Sequence, residues 1–383
     1  MITLFDDTSM CCGCTACANI CPTKAIDMKQ GKEGFLYPVI NHNLCIECGL
    51  CKKVCAFQNG YDYKQQLPSP SIYAVKHKDH EIRRSSSSGG AFTAFSDCVL
   101  KLNGSVYGAI LDSKMKVKHV KATDQETRNA MRGSKYVQSD LENVFTKIKD
   151  DLLNKKNVIF SGTPCQCAGL KTFLHVLKCD DSNLITMDFI CHGVPSPLIF
   201  KDYLNLSESK NGSKVVNYSF RSKIDGWNHT EAAFYENGKV DTKSRLVKSY
   251  KQLFYSNVCL RPSCHQCPYS NEQRVSDITI ADFWGINKLN PDFFDELGVS
   301  AVMINSTKGD LFFNEIIKDF SVLKSDIENL KLFQNNLKSP STPSRSRKKF
   351  WEDYNRLSFE EVLKKYTIYG NKRYLLIQTI KIL

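Results

Sequence analysis

Eight of the nine cysteines within the first 55 residues fall into two evenly spaced runs, which leave this chain little freedom in how its N-terminus folds. Cys11, Cys14, Cys17 and Cys21, the last followed by Pro22, recur as Cys45, Cys48, Cys51 and Cys55. Each run reads C-x2-C-x2-C-x3-C. In that spacing a tight loop offers three thiolates to one iron–sulfur cube, and the fourth cysteine crosses to the other. Two [4Fe–4S] clusters are therefore predicted, one on Cys11, Cys14, Cys17 and Cys55, the other on Cys45, Cys48, Cys51 and Cys21. Structural zinc uses two ligand pairs separated by a gap, which an unbroken quartet does not match. Cys12 stands in C-x-C register with Cys14 and is read as a spare thiol. Ala56 replaces the proline that follows the first run, but no ligand is lost.

The chain has 383 residues and 17 cysteines. That length exceeds a single core of roughly 250–300 residues, so a small cluster unit plus one large domain is expected. So many cysteines suit a disulfide scaffold only in a short secreted chain, and the N-terminus shows no basic region followed by an apolar run. A cytoplasmic location is expected. No stretch approaches the roughly 20 apolar residues that cross a bilayer. The net charge is +12, and residues 1–60 carry five charges of each sign, so the excess lies beyond them. The basic residues are dispersed, with SRSRKKF (Ser344–Phe350) and NKRY (Asn371–Tyr374) as local runs read as solvated surface; nucleic acid is not an expected partner.

The expected organisation is a cluster domain over 1–60, a polar linker over 61–71, a large domain over 72–340 and a helical tail over 341–383. The fold class is α+β and α/β, a ferredoxin-like unit followed by a larger α/β domain with a helical C-terminal tail. SIYAVKH reads as a strand, and SSSSGGAFTAFSDCVLKLNG as a loop entering a helix. VYGAIL and VKHVKA read as paired strands. NVIFSG and LITMDFIC are apolar strands alternating with helices at Thr163–Leu177 and Pro197–Leu206, the pattern of a parallel sheet. VVNYSF and TEAAFYE alternate as antiparallel strands, DITIADFWG and VSAVMINS return to buried strands, and the chain from Lys308 reads as helical.

Ligands of a parallel sheet sit beyond the carboxyl ends of its strands. Cys165 stands there at a helix start, where thiolate is favoured, and Cys191 at the end of the next strand. Cys264 and Cys267 form C-x2-C in a proline-bounded loop. These four are read as ligands of a third cluster, with Cys167 and Cys259 as substitutes and Cys98 and Cys179 as core thiols; packing roles or zinc are the rival readings. Arg83, Arg84, Ser86, Ser87, Ser88, Gly89 and Gly90, in RRSSSSGGAF, enter a helix with backbone N–H groups and two guanidinium groups that suit a diphosphate. His192 and Asp282 are candidate catalytic proton carriers, against a backbone hydrogen bond for His192 and a capping role for Asp282. Trp227 and Trp284 are read as packing residues with a flavin contact as the rival.

Together with the cysteine quartets, RSSSSGGAFTAF, RGSKYVQS, SGTPCQ, CHGVPSP, LRPSCHQCPY and ITIADFWG, in this order, resemble the beta-subunit family of coenzyme F-420 hydrogenases and dehydrogenases. The resemblance runs from Cys11 to about Asn287. It implies an iron–sulfur flavoprotein oxidoreductase that binds FAD at Arg83–Gly90 and passes electrons between clusters and a two-electron substrate. Some members reduce F-420, relatives reduce chlorophyll or bilin-type pigments, and several bacterial relatives stand beside polysaccharide-building enzymes, which implies a role in polysaccharide biosynthesis. Flavin is the natural converter between one-electron and hydride chemistry. The expected partners are a redox protein or ferredoxin-type donor and a small-molecule substrate. An electron-carrying subunit that feeds a partner enzyme is the alternative. The apolar end YLLIQTIKIL (Tyr374–Leu383) is a candidate for peripheral membrane contact.

Overall fold

The computed structural model describes residues 2–228 and 230–370. The first unit is a hairpin of β1 (Ile26–Gln30) and β2 (Leu36–Ile40), flanked by one-turn helices at Ala16–Ile20, Leu50–Lys53 and Ala56–Asn59. Both cysteine loops turn through a left-handed residue at the same place, Thr15 with φ 63° and Gly49 with φ 74°. A β-branched residue rarely adopts that conformation. Thr15 is held there by burial and by the amide of Asn19, which donates to its hydroxyl and carbonyl oxygens.

The larger part is built on β3 (Ser71–His77), β4 (Ser105–Leu111), β5 (Val117–Ala122), β6 (Val158–Ser161), β7 (Leu184–Phe189), β8 (Val215–Ser222), β9 (Thr230–Tyr235), β10 (Val240–Asp241), β11 (Ile278–Asp282), β12 (Ser300–Ile304) and β13 (Phe320–Ser325). Eight of these form one mixed sheet in the order β13-β3-β12-β11-β7-β6-β4-β5. β4, β6, β7 and β11 run parallel, and β3 points the same way because it is antiparallel to β12, which is antiparallel to β11. Five carboxyl ends therefore share one edge, where an α/β sheet takes its ligands. The parallel strands are apolar on both faces because helices cover both sides, and Leu184, Met187, Val158, Ile159 and Phe160 are all buried.

The expected alternation of strand and helix through Leu206 is present, as are the β4–β5 pair and the separate β8–β9 pair. The chain from Lys308 is not helical throughout. After the helix Thr307–Ile316 it forms β13, which covers the outer side of β3. The segment 61–71 is not a free linker either: Tyr61 and Tyr63 pack on the helix Pro164–Val176 side of the core, and Gln66 donates to Val275 O at 2.9 Å. Nor are residues beyond 340 an appendage through Gly370. Helices Arg347–Tyr354 and Phe359–Tyr366 bury Phe350, Val362 and Leu363 with Tyr203 and Tyr250 in an aromatic core under β8 and β9. Within SRSRKKF, Arg347 pairs with Glu33 of the hairpin turn instead of facing solvent. NKRY and Tyr374–Leu383 lie outside the described residues. No helix among the described residues is long and apolar enough to cross a membrane.

Candidate functional site

The N-terminal cysteines ring two cavities. Cys11, Cys14, Cys17 and Cys55 line one of about 240 Å³, and Cys21, Cys45, Cys48 and Cys51 line the other, with Cys51 bordering both. Each set is the crossover quartet that the spacing implies. Among the described residues no three Cys, His, Asp or Glu side chains converge on one point. Thiols standing around a cavity suit the separate corner irons of a cube better than one ion.

A third cavity lies at the carboxyl edge of the sheet and is lined by Cys165, Cys191, Cys264 and Cys267, together with Cys12. The capping box of Thr163 and Gln166 fixes Cys165 in the first turn of the Pro164–Val176 helix. The cysteine loop is pinned by the buried Arg274, which pairs with Asp188 of β7 at 3.1 Å and donates to Tyr269 O and Phe189 O. Burial pushes the thiols of Cys264 and Cys267 up to about 12 and about 11. Burial thus favours the protonated thiols, and a metal would have to displace their protons.

Cys12, read from the sequence as spare, occupies the wall between the first and third cavities. Hydrogen bonds to Cys14 and Cys165 raise its own thiol and lower both of theirs, Cys165 to about 7. Cys12 thus stands in contact with two candidate ligands, one on each side. The substitutes do not enter: Cys167 and Cys259 are fully buried, with Cys167 facing Gly162 O and Met187 O, and Cys259 facing Leu253 O.

The Ser/Gly loop follows a short helix, His80–Arg84, beyond the carboxyl end of β3 and enters the Ala91–Lys101 helix, whose first turn has no side-chain cap. Its hydroxyls hold the loop itself: Ser86 donates to Ile82 O, Ser88 to Val299 O, and Ser87 accepts from the Ser134 amide at 2.9 Å. The RGSKYVQS segment therefore forms one floor with RSSSSGG, and Arg132 reaches Ser85 Oγ while its buried Nε has no partner. Arg83 turns away to His77 O and Asp295, and Arg84 is exposed beside Glu81. Gly89 is required by the sheet: a Cβ there would meet Val75 O at 2.4 Å and Ser300 N at 2.7 Å. Lys223, which sequence reasoning passed over, clamps the loop by donating to Arg83 O, Ser88 O and Leu297 O. Burial pushes its ammonium down to about 7.

Between loop and third cavity stands Asp282 at the end of β11. Both its oxygens are taken, by Arg221 at 2.5 Å and 3.2 Å and by Trp227 Nε1 at 2.8 Å. Trp227 stacks on Trp284 with centroids 4.8 Å apart, and Arg221 lies over Trp284. Arg221 also donates to Ser87 O. His192 is likewise engaged at both ring nitrogens, by Asn257 at 2.7 Å and Ser341 at 3.3 Å, and burial lowers its basicity. Both candidate proton carriers are thus hydrogen-bonded at each of their side-chain polar atoms. From the Ser/Gly loop at β3 to Cys191 at β7 is three strand spacings, roughly 14 Å.

Residues 155–329 match the family model for the C-terminal part of the coenzyme F-420 hydrogenase/dehydrogenase beta subunit, and residues 10–59 match the 4Fe-4S dicluster domain. The fold is similar to a chain of the xenon-derivatized F-420-reducing [NiFe] hydrogenase complex from Methanosarcina barkeri, at 18% identity and TM-score 0.51, covering 76% of this chain and 94% of that one. No curated protein matches the chain.

Proposed function

Because the chain belongs to the coenzyme F-420 hydrogenase/dehydrogenase beta-subunit family and carries an iron–sulfur dicluster domain, we propose that it is an iron–sulfur flavoprotein oxidoreductase. In this reading the two N-terminal quartets would hold [4Fe–4S] clusters and Cys165, Cys191, Cys264 and Cys267 a third, which would supply one-electron transfer, and the Ser/Gly loop would hold FAD beside a small-molecule substrate. The observation that carries it is a series of adjoining thiol-lined cavities, the first and second sharing Cys51 and the first and third sharing Cys12, with the third cavity and the Ser/Gly loop on one sheet edge. The flavin supplies the exchange between one-electron and two-electron chemistry.

This chain's own residues then have distinct tasks. The backbone amides at the start of the Ala91–Lys101 helix, with Arg132, would meet the diphosphate, while the serine hydroxyls and Lys223 hold the loop that presents them. Arg221 and Asp282 act as a positioning pair that ties the loop to the Trp227–Trp284 stack. Cys12 spans the gap between the first and third cubes.

Anaerobic purification with iron, sulfide and flavin quantified together tests the reading. Roughly twelve irons per chain are expected, four for each cube, with about one FAD. Cys264→Ser with Cys267→Ser should remove about four irons and leave the ferredoxin signal. Unchanged iron would reduce the clusters to two.

A second reading is supported by one surface. Leu44 and Ile46 are 50% and 64% exposed beside the exposed Cys48, and Val39 is exposed on β2. An apolar skirt around an accessible cube suits a redox partner protein. The chain as an electron-transfer subunit would retain all its clusters but turn over no substrate alone.

A further inference from the structure

Arg261 is 1% exposed and lies in the loop that carries Cys264 and Cys267. Its guanidinium reaches out of that loop into the N-terminal unit. Nε donates to Cys11 O at 2.7 Å, Nη1 to Gln138 Oε1 at 2.7 Å, and Nη2 to Leu36 O at 3.0 Å and to Cys11 Sγ at 3.6 Å. The group lies over the Tyr37 ring, 4.3 Å from its centroid. Among the described residues no carboxylate forms an ion pair with it. An isolated buried charge costs several kcal/mol, so a counter-charge is expected at this place. Of its hydrogen-bond partners only Cys11 Sγ can carry negative charge, with whatever it ligates, and Cys14, Cys165 and Cys264 stand within reach of the same charge.

We propose that Arg261 is the counter-charge of the first cube and raises its reduction potential above that of the second, so that electrons entering at the exposed cube settle inward. The inference rests on the reading that Cys11, Cys14, Cys17 and Cys55 hold a [4Fe–4S] cluster. A four-thiolate cube gains one negative charge on reduction. A fixed cation in a low-dielectric setting, donating to a ligand sulfur, stabilises the reduced form more than the oxidised one.

The two cysteine loops differ at one decisive position. Gly13 and Glu47 occupy the same place in their runs, both with positive φ, 72° and 54°. A Cβ on Gly13 would stand 2.8 Å from Arg261 Nη1. The first loop is therefore open to the guanidinium. The second carries a carboxylate there, and its cysteines Cys45, Cys48 and Cys51 receive no hydrogen bond from any arginine or lysine among the described residues. Two quartets of identical spacing thus differ in that a buried guanidinium donates to a cysteine of the first.

The test is an electron-spin-resonance redox titration of the full chain with iron counted. In Arg261→Gln, iron should be unchanged and the first cube's reduction equilibrium should fall about tenfold, about 59 mV for one electron. Arg261→Lys, which keeps the charge, should recover most of that shift. Unchanged potentials at full iron would overturn the inference. Should Arg261→Gln fail to keep the cube, wild-type protein labelled with nitrogen-15 in its arginine side chains decides. The reduced first cube should show a nitrogen-15 hyperfine coupling, and its absence overturns the proposal. Wild-type protein without iron would instead sink the cluster reading beneath it.

Discussion

A glycine inside the helix Pro164–Val176 forgoes roughly 1 kcal/mol of helix propensity against alanine, so Gly169 needs a structural reason. It is Cys14: a Cβ at 169 would stand 2.8 Å from Cys14 Sγ and 3.0 Å from its Cβ. If Cys14 ligates iron it cannot swing aside. Gly169→Ala should therefore keep its helical circular dichroism but lose about four irons, one cube's worth; full iron content would mean that the loop yields. Glu231 is a second single residue with a measurable consequence. Burial pushes its carboxyl up to about 8, against the hydrogen bond from Tyr218 at 2.9 Å. The unfolded chain releases that proton near the ordinary carboxylate value, whereas the folded chain keeps it until about 8. Stability should fall as pH rises through this window and stay reduced above it. Comparing urea midpoints at about pH 5 and about pH 9, the wild type should drop more than Glu231→Gln. At this scale the cysteines were legible because metal spacing is a local code. Arg261, Arg221 and Gly169 were not, because each acts on a partner more than fifty residues away and carries no pattern of its own.

At the scale of elements, the Ser/Gly loop reads correctly as a loop entering a helix, yet its glycine serves the sheet. Gly89 lies where β3 and β12 approach, with its amide on Ser300 Oγ and its carbonyl accepting from His77 N. Gly89→Ala should destabilise the fold by about 1–3 kcal/mol through overpacking, whether or not flavin is present. Arg132→Ala, at a residue whose Nε is buried without a partner, should instead weaken flavin retention with little change in the denaturation midpoint. If both variants lose flavin and stability in parallel, the loop has no separable binding role. β13 was missed because Phe320–Ser325 is a short edge strand directly behind a helical run, with exposed polar residues at Ser321 and Lys324 that break any two-residue alternation. Only its pairing with β3, some 245 residues earlier, defines it. The strands β6, β7, β11 and β12 were legible because burial on both faces demands continuous apolar runs.

Across the whole molecule the two parts are joined through the sites. Gln138 donates to Cys12 O and accepts from Arg261, Asn19 exchanges hydrogen bonds with Glu142 and Thr146, and Arg347 binds both Glu33 and Leu260 O. Nearly every one of these contacts touches a cysteine loop or its neighbour. A boundary drawn at residue 60 from composition misses this, since contacts between distant residues leave no trace in local sequence. If the third site holds metal, its loss should be felt in the N-terminal unit, because Arg261 sits three residues before Cys264 and depends on that loop for its place. In Cys264→Ser with Cys267→Ser, hydrogen exchange should rise in residues 259–270 and also in residues 10–17 and 35–38, where Arg261 holds Cys11 O and Leu36 O. β8 and β9, whose core is the separate aromatic cluster, should stay protected. Faster exchange confined to residues 259–270 would show that the two cluster sites fold independently; exchange spreading into β8 and β9 would show general unfolding instead of a linkage between the sites.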